Sequence, residues 1–209
     1  MLFEMGRYRA SAVVFDSVGR WNEGDELPGQ IAHQRVWSMT HATSAMIAAG
    51  DTVNVKPRID SIEAMGVLSG LKRDHLLHHH LKGLMYALRG NDEAALDEYR
   101  KAIFSWNFGY TRTNMAMARS YMRLGRPLDA VAVLQPALRG DIEASNFYAP
   151  RTELHEMLAL AWEAVPGAAA RDSSAAHMAY VARAWTKADS VAPRLARMRA
   201  GPVRTTASR

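Results

Sequence analysis

The chain has 209 residues, no cysteine, 48% hydrophobic and 22% charged residues, and a formal net charge of +5. Lack of cysteine excludes disulfides, thiolate metal sites and cysteine nucleophiles. The longest apolar stretches, such as Ala45 to Ala49 and Leu84 to Leu88, fall far short of the roughly 18 residues a membrane-spanning helix needs, so no membrane partner is expected. The opening Met-Leu-Phe-Glu-Met-Gly has neither the basic nor the apolar region of an export signal, which predicts a cytoplasmic location.

In chain order, Gly6, Tyr8, Ser11, Phe15 and Val18 have the spacing of the second helix of a hairpin. The first helix of that hairpin is missing except for Met1 to Met5, and Trp21 follows it. Gln30 to Ala49 reads as a helix with Val36, Met39, Thr43 and Met46 on one side, closed by Gly50. A short loop containing Pro57 leads to a helical run from Ile59 to Leu68. Asp74 then reads as an N-cap, its carboxylate accepting free first-turn N–H groups, ahead of a helix bearing His75, His78 and His79. Farther on, Glu153 to Ala164 and Ser173 to Ala188 form a last pair of helices around Pro166, Gly167 and a short Ala run. The expected total is nine helices, in four full hairpins and one truncated one.

The middle of the chain repeats itself. Gly83, Tyr86, Gly90, Ala95, Tyr99 and Ala102 are each followed, 35 residues on, by Ala118, Tyr121, Gly125, Ala130, Leu134 and Ala137. Two antiparallel helices whose axes are about 8–10 Å apart need a small residue at the crossing and a large one beside it. Gly90 and Gly125 suit the left-handed position after a first helix, and Pro127 suits the first turn of a second. This order of types resembles the tetratricopeptide repeat, whose period is about 34 residues. The resemblance implies an all-α, right-handed α-solenoid of antiparallel hairpins over residues 1–189. Lys82 departs from it, standing where the repeat carries an apolar residue.

A truncated first hairpin leaves Leu2, Val13, Val14 and Phe15 without a partner, because a repeat cannot bury its apolar face alone. Either Met1 is an internal methionine of a longer protein, which is the expectation, or another chain covers that face by self-association. At the other end, residues 190–209 carry five arginines and no acid, which accounts for the whole positive excess. A neutral body does not mark a nucleic-acid surface. The tail, broken by Pro193, Gly201 and Pro202, reads as a disordered end, with a phosphate- or lipid-binding arm as the alternative.

Several phrases go beyond the general repeat: Leu77-His78-His79-His80-Leu81-Lys82-Gly83, Gly109 to Asn114, Val133 to Gly140, and Thr152-Glu153-Leu154-His155-Glu156. Together they resemble the C-terminal repeat region of large bacterial proteins that carry a Ser/Thr kinase or a winged-helix regulator domain. That resemblance implies a non-catalytic docking or sensing module. None of the kinase motifs occurs here. The family presents its partner with first-helix positions that fall on Leu77, His80, Leu84, Ala87 and Leu88, then on Arg112, Met115, Arg119, Met122 and Arg123. Such a groove, apolar on one side and arginine-rich on the other, suits an acidic, partly apolar peptide.

Other chemistry finds little in the sequence. His75, His78 and His79 stand at i, i+3 and i+4, so a metal-ion or small-molecule sensor is the alternative function, although a metal site needs three or four ligands in defined geometry. The adjacent pairs Asp92/Glu93 and Asp97/Glu98 read as solvated faces. With no nucleophile motif and no phosphate loop, neither catalytic residues nor a cofactor is expected.

Overall fold

The computed structural model describes residues 2–19, 27–105, 110–139 and 151–186. Among them the chain is all-helical, with no strand. Its nine described α-helices are α1 (Tyr8–Val18), α2 (Pro28–Ala48), α3 (Val55–Leu68), α4 (Leu77–Leu88), α5 (Asp92–Ala102), α6 (Thr111–Arg123), α7 (Pro127–Arg139), α8 (Arg151–Glu163) and α9 (Ala168–Ala184). Trp21, the expected end of the last helix at 187–188 and the arginine tail lie outside the described residues. Neighbours in sequence are neighbours in space: α1 packs on α2, α2 on α3, α4 on α5, α6 on α7 and α8 on α9. Contacts of α5 with α6 and of α7 with α8 join successive pairs.

The 35-residue repeat has a geometric counterpart. Gly90 and Gly125 both adopt positive φ, +76° and +69°, which costs glycine nothing. Behind them the N–H groups of Gly90 and Asn91 donate to the carbonyls of Ala87 (3.1 Å) and Tyr86 (3.0 Å). Those of Gly125 and Arg126 donate to Met122 (3.1 Å) and Tyr121 (2.8 Å) in the same pattern, so both first helices end in one type of closing turn. The second helix of each copy then starts by its own device. Asn91 Oδ1 accepts from the Ala94 N–H at 3.2 Å, whereas α7 opens on Pro127. Ala95, Tyr99, Ala118, Ala130 and Leu134 are all buried, as are Ala102 and Ala137.

Two apolar clusters form the interior. One joins α5, α6, α7 and α8 around Leu96, Tyr99, Met117, Leu134, Leu154 and Leu158. The other joins α2, α3 and α4 around Val36, Ile59, Ile62 and Leu81, with Tyr110. Leu84 of α4 packs against both. The second half of α2 is buried on nearly all sides, from Thr40 to Ala45, rather than along the single stripe expected, because α1, α3 and α4 all pack on it.

Four local expectations are corrected. Helix α3 begins at Val55, so Pro57 lies within its first turn, where a missing N–H costs no helical hydrogen bond. Helix α9 begins at Ala168, since the Ala run is good helix former rather than turn. Pro136 falls three residues inside the end of this second helix, a position from which a kink or early end near Ala132 to Gln135 is expected, yet the helix continues to Arg139. The N–H that proline lacks would have bonded the carbonyl of Ala132, an exposed residue that water can serve, while buried Val133, Leu134 and Ala137 hold the helix on both sides. The fourth is Asp74. It makes no cap hydrogen bond and is fully buried in a short 3₁₀ turn, Asp74–Leu76. There it accepts from Trp37 Nε1 at 2.8 Å and pairs with His33 Nδ1 at 2.7 Å.

Candidate functional site

Helical periodicity builds a concavity between α4 and α6. On α4, His80, Leu84, Ala87 and Leu88 fall at i, i+4, i+7 and i+8; on α6, Arg112, Ala116, Arg119 and Arg123 fall at i, i+4, i+7 and i+11. Each set forms one stripe, and the two stripes face a common cavity of about 540 Å³. Ile47 and Ala48 of α2 extend the apolar side, and Glu153 of α8 closes the far end. Near Arg112 the cavity is bounded by Phe3, Glu4 and Tyr8.

Of the groove residues read from the sequence, His80, Leu84, Ala87, Leu88, Arg112, Arg119 and Arg123 line this cavity. Leu77 and Met115 do not. They are 2% and 1% exposed and belong to the two interior clusters. Met122 is half-buried and packs against the same cluster as Met115. The two methionines sit roughly 60–80° round α6 from the arginine stripe, which turns them toward the interior.

The three arginines do not stand as an unmatched positive wall, because each already meets a carboxylate of the chain. Arg112 Nη2 donates to Glu4 Oε1 at 2.6 Å, and Arg119 Nη2 donates to Glu153 Oε1 at 3.0 Å. Arg123 holds Asp92 with two hydrogen bonds, from Nε at 2.9 Å and Nη2 at 2.5 Å. That fork ties α6 to the first turn of α5 and keeps the Asp92 carboxyl below its ordinary range. For Glu4, burial works against ionisation, but hydrogen bonding and the Arg112 charge outweigh it and hold its pKa down. Arg119 and Arg123 remain about half exposed, so their remaining N–H groups face the cavity and solvent.

The floor beneath the arginines is neutral. His80 is buried, with Nδ1 3.1 Å from the Thr113 hydroxyl and its ring edge-on to Tyr110 at 4.9 Å. Burial first, and then the charges of Arg112 and Arg119, push its pKa down to about 3. His41 on α2 lies 3.0 Å from the Tyr110 hydroxyl through Nδ1 and stacks on Phe15. Burial and the Arg112 charge hold it well below its ordinary value too. Both imidazoles are therefore neutral hydrogen-bonding groups rather than extra cations.

The histidine face expected at His75, His78 and His79 is dispersed. His75 belongs to the 3₁₀ turn and its carbonyl lies 2.5 Å from His78 Nδ1. His78 faces Glu63 of α3, whereas His79 lies 2.8 Å from Glu98 of α5. Among the described residues no group of three His, Asp or Glu side chains is placed to hold a metal ion. The acidic pairs also divide: Glu93 and Asp97 are on solvated faces, but Asp92 and Glu98 are largely buried and paired. Lys82, the departure from the repeat pattern, reaches toward Glu63 at 3.6 Å.

Sequence reasoning missed Phe3, Glu4 and Glu153 as parts of this site. Only their complementarity to Arg112 and Arg119 could have suggested them, and nothing in their spacing encodes it. Among the described residues no helix is long and apolar enough to cross a membrane. Comparison with protein families, with curated proteins and with solved structures finds no match to this chain.

Proposed function

We propose that this chain is a non-catalytic docking scaffold built from tetratricopeptide-like hairpins, and that it takes an acidic, partly apolar peptide in the groove between α4 and α6. The observation that carries the reading is the pairing of walls. Leu84, Ala87 and Leu88 give one apolar wall, and the Arg112, Arg119 and Arg123 stripe gives the other. The matched glycine turns at Gly90 and Gly125 and the burial of the corresponding small and large residues in both copies support a solenoid-type stack, whose first helices would line a concave side. By its resemblance in sequence, the module is the docking part of a larger bacterial signalling or transcription-regulatory protein.

A peptide in this groove would set apolar side chains on α4 and carboxylates on α6. Arginine suits that task because its planar fork binds a carboxylate through two parallel hydrogen bonds. A fluorescence-anisotropy titration with labelled acidic peptides tests the proposal. The Arg112→Gln/Arg119→Gln variant should lose at least about tenfold in affinity, since a partly desolvated fork contributes more than a screened surface charge. Reversing Arg197 and Arg199 in the tail should weaken binding only modestly and flatten its salt dependence. Unchanged affinity in the groove variant, with loss in the tail variant, would make the tail the functional element.

A further inference from the structure

The end of the groove at Arg112 is already occupied by the chain itself, in a manner that specifies what the groove recognises. The Arg112 guanidinium lies over the Phe3 ring, 4.4 Å from its centroid, and donates to the Glu4 carboxylate at 2.6 Å. Phe3 and Glu4 come from a non-helical segment folded back on itself. The Gly6 N–H donates to the Phe3 carbonyl (3.0 Å), and the Arg7 N–H to the Leu2 carbonyl (2.9 Å), with Gly6 at φ +72°. The segment thus reaches α6 through an aromatic side chain and the acidic one next to it. These are the two chemistries that the proposed groove is built to receive.

We propose that Phe3-Glu4 is an internal ligand. The Arg112 subsite recognises an aromatic–acidic pair, and a partner peptide carrying the same pair binds by displacing the chain's own copy. This rests on the docking reading above and adds both its specificity and its regulation. Three observations carry it. Cation–π stacking and a charge-assisted hydrogen bond converge on a single guanidinium. Glu4 uses only part of the fork: Arg112 Nε is buried and has no hydrogen-bond partner among the described residues, so an incoming carboxylate that engages Nε and Nη2 together gains a bond that Glu4 does not make. Finally, the internal pair fills one end only, and the cavity continues to Arg119. Arg119 lies seven residues farther along α6, or about 10.5 Å. An extended peptide at about 3.3 Å per residue covers that span in three residues, so the partner carries a second acid three residues from the first.

The probe is a fluorescein-labelled peptide containing Phe-Glu-Ala-Ala-Glu, with Ala-Gln-Ala-Ala-Gln as control, titrated into the full chain and into the Phe3→Ala/Glu4→Gln variant. An internal ligand lowers apparent affinity by the fraction of molecules it leaves competent, so the variant should bind the probe about tenfold more tightly than the parent. In parallel, 4-fluorophenylalanine placed at position 3 of the otherwise intact chain gives a 19F signal, and saturating probe should move it to the free, solvent-exposed value. This second readout decides the matter even if the double variant folds poorly. Equal affinity in both forms with an unmoved 19F signal would overturn the internal-ligand assignment and leave the docking reading standing. Absence of binding to either form at about 1 mM probe would overturn both.

Discussion

Gly83 on α4 lies so close to Tyr99 on α5 that a Cβ added to the glycine would stand 2.3 Å from ring atom Cε1. Tyr99 is 1% exposed and cannot swing away. The matching positions 35 residues later are Ala118 and Leu134, both fully buried in the same apolar cluster. A larger small residue there goes with a smaller large one. Gly83→Ala should therefore destabilise by about 1–3 kcal/mol through overpacking, even though alanine is the better helix former. Adding Tyr99→Leu, which copies the second repeat, should make the pair markedly non-additive, with the double variant more stable than the two single effects sum to. Urea unfolding of the four proteins checks this, and strict additivity would break the equivalence of the two pairs.

The buried Asp74 leads to a second expectation. It joins the 3₁₀ turn to α2 through Trp37 Nε1 and His33 Nδ1, and the Trp37 ring in turn packs edge-on against Tyr110 at 5.5 Å. Asp74→Ala strands an indole N–H in the interior and should cost about 3 kcal/mol. Asp74→Asn keeps one acceptor and should cost clearly less. Thermal melts of both variants would show it, and a near-neutral Asp74→Ala would mean that water replaces the carboxylate.

How far the sequence disclosed this molecule follows from how local each feature is. The closing turns at Gly90 and Gly125 depend on a positive φ within a few residues, and glycine spacing announced them. The stripes His80 to Leu88 and Arg112 to Arg123 follow the 3.6-residue period, but which turn of each helix faces a groove came only from the resemblance, and seven of the ten residues it offered line the cavity. Leu77, Met115 and Met122 pack against the interior clusters instead, because family positions carried over residue by residue do not allow for the local rotation of each helix. Asp74 was misread because its partners, His33 and Trp37, are about 40 residues away, and a side chain that caps locally has the same sequence appearance as one that pairs at long range. The carboxylate partners of the arginines, Glu4 and Glu153, are non-local in the same way, 108 and 34 residues from the arginines they meet.

Acid should unfold the chain well above the carboxylate range. His80 has a folded-state pKa of about 3 against an ordinary 6.5, and His41 is shifted in the same direction. In the unfolded chain both bind protons as pH falls through 6.5, while in the folded chain they do not. The unfolded state then holds more protons, so stability is full above about pH 6.5 and falls as pH drops from there toward 3. Each such histidine contributes a slope of roughly 1.4 kcal/mol per pH unit. The depressed carboxyls of Asp92, Glu98 and Glu4 add their own loss only at lower pH. Unfolding free energies at pH 7 and pH 5 should differ by about 2 kcal/mol less in His80→Asn than in the parent. The readout is the difference between the two pH values, which the cavity left by the smaller side chain does not alter. An unchanged pH 7 to 5 difference would place proton uptake elsewhere.

The Arg119–Glu153 pair separates support from recognition. Glu153 is 7% exposed and Arg119 is 47% exposed, with 3.0 Å between them, and both line the groove. Arg119→Glu sets a like charge beside a nearly buried carboxylate and should destabilise by about 2 kcal/mol, less than for a fully buried pair because solvent screens the exposed partner. Exchanging the charges, Arg119→Glu with Glu153→Arg, restores opposite signs across the α6–α8 contact and should recover at least half of that loss. It does not restore the stripe, because the guanidinium now projects from α8 and no longer lies two turns from Arg112 on one helix. Affinity for an acidic peptide should therefore stay at least about tenfold down in the exchanged protein, although its stability returns. Measured together, urea melts and peptide titrations distinguish the two roles. If the exchange restores both, the net charge of the cavity sets affinity, and the geometry of the α6 stripe does not.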